Sequence, residues 1–364
     1  MIDLTKLMAG KQGRNDSIRF PENSTLKPRV MVFNVTRNCN LHCAHCYSGS
    51  GHSHFRDLPL GIWLDGLKSA ADLGVKHLLI SGGEPLFRKD VFIIMEEARE
   101  YGLTLTLSTN GTLLGSQNIQ RMKRLVDYVG ISIDGPQLIH DKFRGVDGAF
   151  RRTMENARGC REAGIRTGFR FTLTKYNVDF VDFMLKLAKT ENVDRICFYH
   201  LGYVGRASSQ LDISNEQRLD AMLKIAAAAS TSEFEILTAD NSVDGILAYL
   251  LTRSESVYAL LRKNGGNKSG ERIADVDPDG NVYPDQFTRL KLGNIGELES
   301  IWGGTNRIVG ELGNRKDRVV CGSCRYFEVC NGDSRGRALA SSGDIWGFDP
   351  SCYLSNLASH FTDC

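Results

Sequence analysis

The chain has 364 residues, 41% of them hydrophobic, and a formal net charge of +2. That length supports one large core with a smaller appended unit, and the near-neutral balance singles out no nucleic-acid polyanion as partner. No apolar run approaches a membrane span, and the opening Met1-Ile2-Asp3-Leu4-Thr5-Lys6 lacks the basic-then-apolar order of a secretory signal, so the expected location is cytoplasmic. Ten cysteines in such a chain point to metal or redox chemistry rather than to crosslinks.

Residues 1–28 are polar and irregular and read as a leader or strap. From Arg29 a repeating pattern sets in. Val30 to Val35 is an apolar, β-rich run that ends at a cysteine-bearing loop. Leu60 to Leu73 has helical spacing through Trp63, Leu64, Leu67 and Ala71, with Gly74 as its stop. Val75 to Ile80 reads as a buried strand, Val91 to Ala98 as a helix, and Leu103 to Leu107 as an alternating strand. A helix through Ile119 and Met122 leads to the strand Tyr128 to Ile133. Helix 149–163, strand 166–173, helix 178–188 and strand 195–199 follow. Strands alternating with helices imply right-handed crossovers and a parallel sheet. After Leu201 the pattern changes. Ser214-Asn-Glu-Gln217 predicts a capping box for a helix to about Ala229, and a single helical stretch is expected over Val243 to Leu261. A hairpin is expected from Ile273–Val276 and Val282–Tyr283, turned by Pro278-Asp279-Gly280. The resulting division is 1–28 leader, 29–205 repeating β/α unit, 206–262 helical connection and 263–364 loop-rich tail.

Two sets of cysteines carry the chemistry. Cys39, Cys43 and Cys46 are spaced C-x3-C-x2-C after the first strand. Three thiolates in one short loop suit three corners of a [4Fe–4S] cube, leaving one iron open to a small chelating molecule. Zinc held with His42 or His45 is the alternative. In the tail, Cys321 and Cys324 are followed by Cys330 and, after a longer gap, Cys352. Four thiolates suit either a fully ligated iron–sulfur cluster or structural zinc, and a metal would organise a segment too loop-rich to bury much apolar area. Cys160, Cys197 and Cys364 have no partner spacing, and the first two read as small buried hydrophobes.

The cysteine loop, together with Ser81-Gly82-Gly83-Glu84-Pro85 after the second strand, resembles the radical S-adenosylmethionine (SAM) enzymes. The resemblance implies a partial (β/α)6 barrel followed by a small cysteine-rich iron–sulfur domain. It also implies SAM at the open iron and a 5′-deoxyadenosyl radical. In parallel β/α folds the chemistry sits after the strands, and both motifs fall there. By the same resemblance Glu84 accepts a hydrogen bond from the SAM ammonium, beside Gly82 and Gly83. Asn110, ending the third strand, and Ser132 and Asp134, ending the fourth, are candidates for the ribose or carboxylate of SAM. Turn formation is the plainer reading of their Asn-Gly and Asp-Gly sequences. Arg170, opposite in phase to Phe169 and Phe171, is a candidate for the barrel interior and a carboxylate partner.

The tail resembles the SPASM extension of some members of that family, reduced to one auxiliary [4Fe–4S] cluster on Cys321, Cys324, Cys330 and Cys352. Asp285 and Ser334 stand where the full pattern has cysteines. Longer stretches, among them 198–206, 238–245, 264–270, Pro284-Asp-Gln-Phe287 and Asp349-Pro-Ser-Cys-Tyr353, resemble the tetrapyrrole side-chain-modifying branch over roughly Val30 to Leu354. That branch includes a didecarboxysiroheme deacetylase of haem biosynthesis and its haem d1-type relative. It implies removal of acetate side chains from a carboxylate-bearing iron tetrapyrrole, with electrons from a flavodoxin or ferredoxin. His200, Tyr203 and Asp285 are the candidate catalytic residues, His200 as iron ligand or proton donor. Arg206, Lys268 and Arg272 are candidate clamps for substrate carboxylates. A SPASM-type enzyme acting on a peptide is the rival. The short segment before the first strand has no room for the peptide-binding winged helix usual in such enzymes.

Overall fold

The computed structural model describes residues 1–13 and 26–360; Cys364 lies outside them. One sheet runs through the molecule. Its strands are β1 (Ile2–Asp3), β2 (Val30–Asn34), β3 (His77–Ser81), β4 (Thr104–Thr109), β5 (Tyr128–Ser132), β6 (Thr167–Thr172), β7 (Arg195–Tyr199), β8 (Glu235–Ala239), β9 (Ile273–Val276), β10 (Asn281–Tyr283) and β11 (Gly293–Asn294). The spatial order is β1-β8-β7-β6-β5-β4-β3-β2-β9-β10-β11. β2 to β8 are mutually parallel, so all their carboxyl ends form one rim.

The helices pack outside because their apolar stripes match the strands' outer faces. In the helix Leu60–Leu73, Trp63, Leu67 and Ala70 are fully enclosed, and Trp63 meets Phe33 of β2 at 5.2 Å between ring centres. Gly74 stops this helix in a left-handed conformation at φ +98°, a backbone state that glycine adopts without a Cβ penalty. Inside the barrel the packing is different. Phe169 and Phe171 face the helices, while Arg170 between them projects inward. A Cβ on Gly130 of β5 would lie 2.2 Å from Arg170 Nε, so the glycine makes room for that side chain.

The expected six β/α units are present, and the sheet extends beyond them. The stretch 206–262, read as a helical connection, also carries β8, a seventh parallel strand. The start of the leader is ordered: β1 pairs antiparallel with β8, and Asp3 caps the short helix Leu4–Met8 through the Lys6 amide. An edge strand with unpaired amides invites such a partner, and polar composition alone does not disclose it. On the other side β9 pairs in parallel with β2, and the predicted hairpin β9–β10 forms, so the tail is sewn into the barrel sheet. The expected Val243–Leu261 helix is two helices, Val243–Thr252 and Glu255–Asn264, separated at Arg253 with φ +50°. The helix Gln137–Arg144 was not anticipated from the sequence. Among the described residues no helix is long and apolar enough to cross a membrane.

Candidate active site

The loop after β2 is pinned from several sides before any ligand is considered. Asn38 brackets Phe55, donating to its carbonyl and accepting from its amide at 2.8 Å each. The His42 and Ala44 amides bond to the carbonyls of Arg144 and Phe143. The Arg206 guanidinium donates to the Cys43 carbonyl at 2.8 Å and to the Ser50 carbonyl at 2.7 Å. Gly82 and Gly83 run against this loop, with the Gly83 amide on the Thr36 carbonyl at 2.7 Å and the Glu84 amide on the Asn38 carbonyl at 2.9 Å. A Cβ on Gly82 would lie 2.5 Å from the Thr36 oxygen, and one on Gly83 2.4 Å from the Asn38 oxygen. The two glycines thus serve first to let two protein backbones touch. Gly82→Ala, at φ +140°, is expected to cost ~1–3 kcal/mol and to lower iron retention by the Cys39–Cys46 loop, read by iron analysis and the thermal midpoint.

Each thiol of the loop has a polar neighbour, a donor in the case of Cys39 and Cys43. The Leu41 amide lies 3.4 Å from Cys39 Sγ and the Asn110 side-chain amide 3.8 Å from it. Arg144 Nη1 is 3.4 Å from Cys43 Sγ, and the Ser48 hydroxyl is 3.3 Å from Cys46 Sγ. Burial pushes the Cys39 thiol up to about 12 and raises Cys43 as well, so thiolates here call for a bound cation. Donors aimed at sulfur are what a bound cluster's thiolates require. Among the described residues no group of three or more His, Cys, Asp or Glu side chains is placed to hold a metal ion. A cube presents its ligand positions on separate irons, so its cysteines need not converge on one point. These residues fit a [4Fe–4S] group.

The three cysteines form one end of a cavity of ≈ 1010 Å³, counting its open mouth. Gly82, Gly83 and the strand-end side chains Ser108, Asn110 and Ser132 line it further. His45, stacked on Phe143 at 4.5 Å, also lines it, with Nδ1 buried and unpartnered. Arg170, Tyr199, Gln286 and Phe287 border both this cavity and a second one inside the barrel. The second lies inside the barrel, lined by strand residues such as Val32, Leu79 and Thr106 and by Lys268 and Arg272.

Several expected site residues have other partners. Glu84 is fully enclosed. Its carboxylate accepts from Thr109 Oγ1 at 2.8 and 2.9 Å, the Asn110 amide at 2.8 Å and the Leu86 amide at 3.2 Å. Burial, only partly opposed by these bonds, pushes its carboxyl up to about 7. Glu84 thus locks the end of β4 to the glycine turn and is not among the residues that line the cavity. Asp134 is likewise withdrawn, held by the Arg144 guanidinium. Asn110 and Ser132 do line it. Arg170 donates to Ser108 Oγ at 2.9 Å and lies over the Tyr199 ring at 5.6 Å. The expected carboxylate partner is absent among the described residues.

The three catalytic candidates have protein partners as well. His200 lines the thiol cavity, but both its ring nitrogens are engaged. Nε2 meets Asp244 at 2.9 Å and Nδ1 meets Arg218 at 2.8 Å, which leaves no lone pair for iron. The Tyr203 hydroxyl donates to Asp212 at 2.7 Å, outside both cavities. Asp285 borders the inner cavity, yet its carboxylate caps its own turn. It accepts from the Phe287 and Thr288 amides at 2.7 Å each, from Thr288 Oγ1 at 3.0 Å and from Ser269 Oγ. Ser334 caps the helix Arg335–Ser342. Both positions that lack the SPASM cysteine are thus filled by hydrogen-bonded caps.

The tail cysteines gather around a buried ion pair. Arg337 binds Asp349 with two bonds of 2.8 Å and donates to the carbonyls of Leu201 and Asp240 at the ends of β7 and β8. Asp349 also accepts from the Ser334 and Ser351 amides. Cys330 is buried, and its thiol is raised first by burial and then by Asp333, Cys352 and Cys321. Cys324 is in turn within electrostatic reach of Cys321, and four thiols so spread suit the separate irons of a cube rather than one metal ion. Cys160 and Cys197 are buried away from both sets, as expected of small hydrophobes. Arg144 and Tyr199 escaped the sequence reading, and His45 entered it only as an alternative zinc ligand; the basic last turn of the helix Gln137–Arg144 hinted at the first.

Comparison with known proteins came to the same region. A match to the Radical SAM superfamily spans residues 33–188. The Fe-coproporphyrin III synthase of Methanosarcina barkeri is 36% identical, with 98% of each chain covered. The pre-heme d1 synthase of Dinoroseobacter shibae is 37% identical over 91% of this chain and 87% of its own. Among solved structures, Streptococcus suis SuiB bound to precursor peptide SuiA superposes with a TM-score of 0.70 at 17% identity, covering 90% of this chain and 76% of SuiB. Tagged anSMEcpe with bound AdoMet gives 0.69 at 19% identity, covering 93% and 98%. At those identities the two structures speak for the fold alone.

Proposed function

Since this chain belongs to the radical SAM superfamily, we propose that it removes acetate side chains from an iron tetrapyrrole of the didecarboxysiroheme type, in haem biosynthesis. The observation that carries this reading is the pair of adjoining cavities. One is lined by the three-cysteine loop, the other runs inside the barrel past the cationic side chains Lys268 and Arg272, and the two share Arg170, Tyr199, Gln286 and Phe287. The names of the two relatives above support a tetrapyrrole substrate. The haem d1-type relative, at 37% identity, keeps haem d1-type side-chain modification as the second reading.

Cys39, Cys43 and Cys46 would hold the [4Fe–4S] cluster that the family implies, and Cys321, Cys324, Cys330 and Cys352 a second. With SAM, the first cluster supplies a 5′-deoxyadenosyl radical. The chain's own residues do the rest. Arg206 and Arg144 hold the cysteine loop, and Arg144 puts positive charge beside Cys43. Ser108 and Ser132 offer hydroxyls to a polar cofactor at the rim, while the Asn110 side chain, held by Asn40 and Thr112, shapes the wall beside Cys39. Phe287 and Tyr199, with Arg170 and Gln286, border both cavities, so a substrate in the inner one would meet the cofactor across a wall of two aromatic rings, a guanidinium and an amide. An external one-electron donor, flavodoxin or ferredoxin in type, completes the scheme.

The test is anaerobic incubation of the reconstituted protein with SAM, dithionite and didecarboxysiroheme, followed by mass spectrometry. Loss of two acetate-sized fragments is the expected result. Release of 5′-deoxyadenosine with the tetrapyrrole unchanged would overturn the reading and turn attention to a peptide, the kind of ligand named for SuiB.

A further inference from the structure

Buried guanidinium groups need an anion or several carbonyls, because an uncompensated charge away from water costs several kcal/mol. The fold meets this need almost everywhere. Among the described residues Arg88, Arg144, Arg195, Arg218, Arg315 and Arg337 each hold a carboxylate. Arg335 donates to four backbone carbonyls. Arg272 is the exception. It is 8% exposed, its Nη1 is buried with no partner, and its side chain has no hydrogen bond or ion pair within the described residues. The adjacent carboxylate, Glu271, is already shared by Arg315 at 2.8 Å, Asn331 at 3.0 Å and Lys268 at 3.2 Å. Arg29 adds a second positive charge close by.

Arg272 borders the inner cavity, as does Lys268. It stands just before β9, and its carbonyl accepts from the Arg29 and Val30 amides at the start of β2, the amino end of the barrel strands. Arg170, at the passage to the cysteine cavity, also lacks a carboxylate and leaves its Nε unpartnered. The cavity's acidic side chains lie elsewhere or are occupied: Asp240 and Asp333 near the end of β8, Asp285 inside its own turn, and Asp3 as the cap on the Lys6 amide.

We propose that Arg272, with Lys268 beside it, is the subsite for a peripheral carboxylate of the substrate, the anion that the fold itself withholds. The inference rests on the tetrapyrrole reading and deepens it. A rigid macrocycle with one carboxylate anchored at Arg272 has a fixed orientation, so the subsite decides which of its edges faces Arg170 and the radical source. Charge-assisted bonds from a guanidinium fork suit a carboxylate in both geometry and strength.

The test is a titration of the cluster-loaded protein, without SAM, followed by difference absorbance. The probes are iron coproporphyrin III as the free acid and as its tetramethyl ester, in the same detergent buffer. Wild type is expected to bind the acid about tenfold or more tighter than the ester, the effect of a charged hydrogen bond. Arg272→Gln is expected to bind the acid about tenfold more weakly and to lose little further on esterification. Arg272→Lys is expected to recover most of the discrimination. Equal esterification penalties in wild type and Arg272→Gln would overturn the subsite while leaving the tetrapyrrole reading intact. Wild type binding neither probe would overturn both.

Discussion

Replacing Cys43 by alanine is expected to abolish 5′-deoxyadenosine formation while leaving about half of the iron in place. With two cubes, the reconstituted wild type should carry about eight irons per chain and the variant about four. The fold should survive the change. The loop is held by backbone bonds from His42 and Ala44 and by Arg206 on the Cys43 carbonyl, none of which uses the thiol. Arg144 keeps its carboxylate, Asp134. Iron analysis with chromatography of the nucleoside product checks the result. Cys330→Ala is the companion: it should lose the other half of the iron and still release 5′-deoxyadenosine with dithionite as reductant. A Cys43→Ala protein with full iron content and unchanged nucleoside release would remove the basis for assigning the open cluster to this loop.

The second large effect is expected at Arg337→Leu. Its carboxylate partner Asp349 is 2% exposed, and the substitution would strand that charge among buried groups. Breaking such a pair from one side costs ~3–5 kcal/mol. Arg337 also reaches the carbonyls of Leu201 and Asp240, so the loss should loosen the seam between tail and barrel rather than the barrel itself. The measurement is iron release from the tail during a urea titration, compared with the loss of helical signal. Tail iron should leave at lower urea than in wild type, ahead of the main transition. Coincident transitions at the wild-type midpoint would show that the pair holds nothing together.

The periodic part of the chain was legible because its rules are local. Apolar alternation and Gly-terminated helices marked the strands from β2 to β7 and most helices between them. β8 was not found, since Glu235-Ile-Leu-Thr-Ala239 carries only two large apolar residues and its place is set by pairing with β7 and β1. The helix Gln137–Arg144 escaped for a related reason. Its apolar face is narrow and much of its buried surface is polar, with His140, Asp141 and Arg144 inside.

The candidate site divided along the same line. Residues whose role depends on spacing within one loop were readable: Cys39, Cys43 and Cys46 share one short loop, and the tail cysteines lie within electrostatic reach of one another. Residues whose role depends on where a side chain points were not. His200 lies one position beyond Tyr199, yet Tyr199 borders both cavities while the His200 ring is held by Arg218 and Asp244 on two later helices. Glu84, Asp134, Tyr203 and Asp285 looked like free functional groups in the sequence. Each is bonded to protein partners that only folding brings near.

By itself the sequence determined the cysteine loop, the glycine turn, the β/α alternation and the tail's four thiols. These follow from chemistry within a few residues, where chain connectivity already fixes proximity. Tertiary structure alone decided which charges are left without a partner and which walls divide the two cavities. Whether a buried arginine is satisfied depends on groups far away in the chain, as the contrast between Arg315 on Glu271 and the unpaired Arg272 shows.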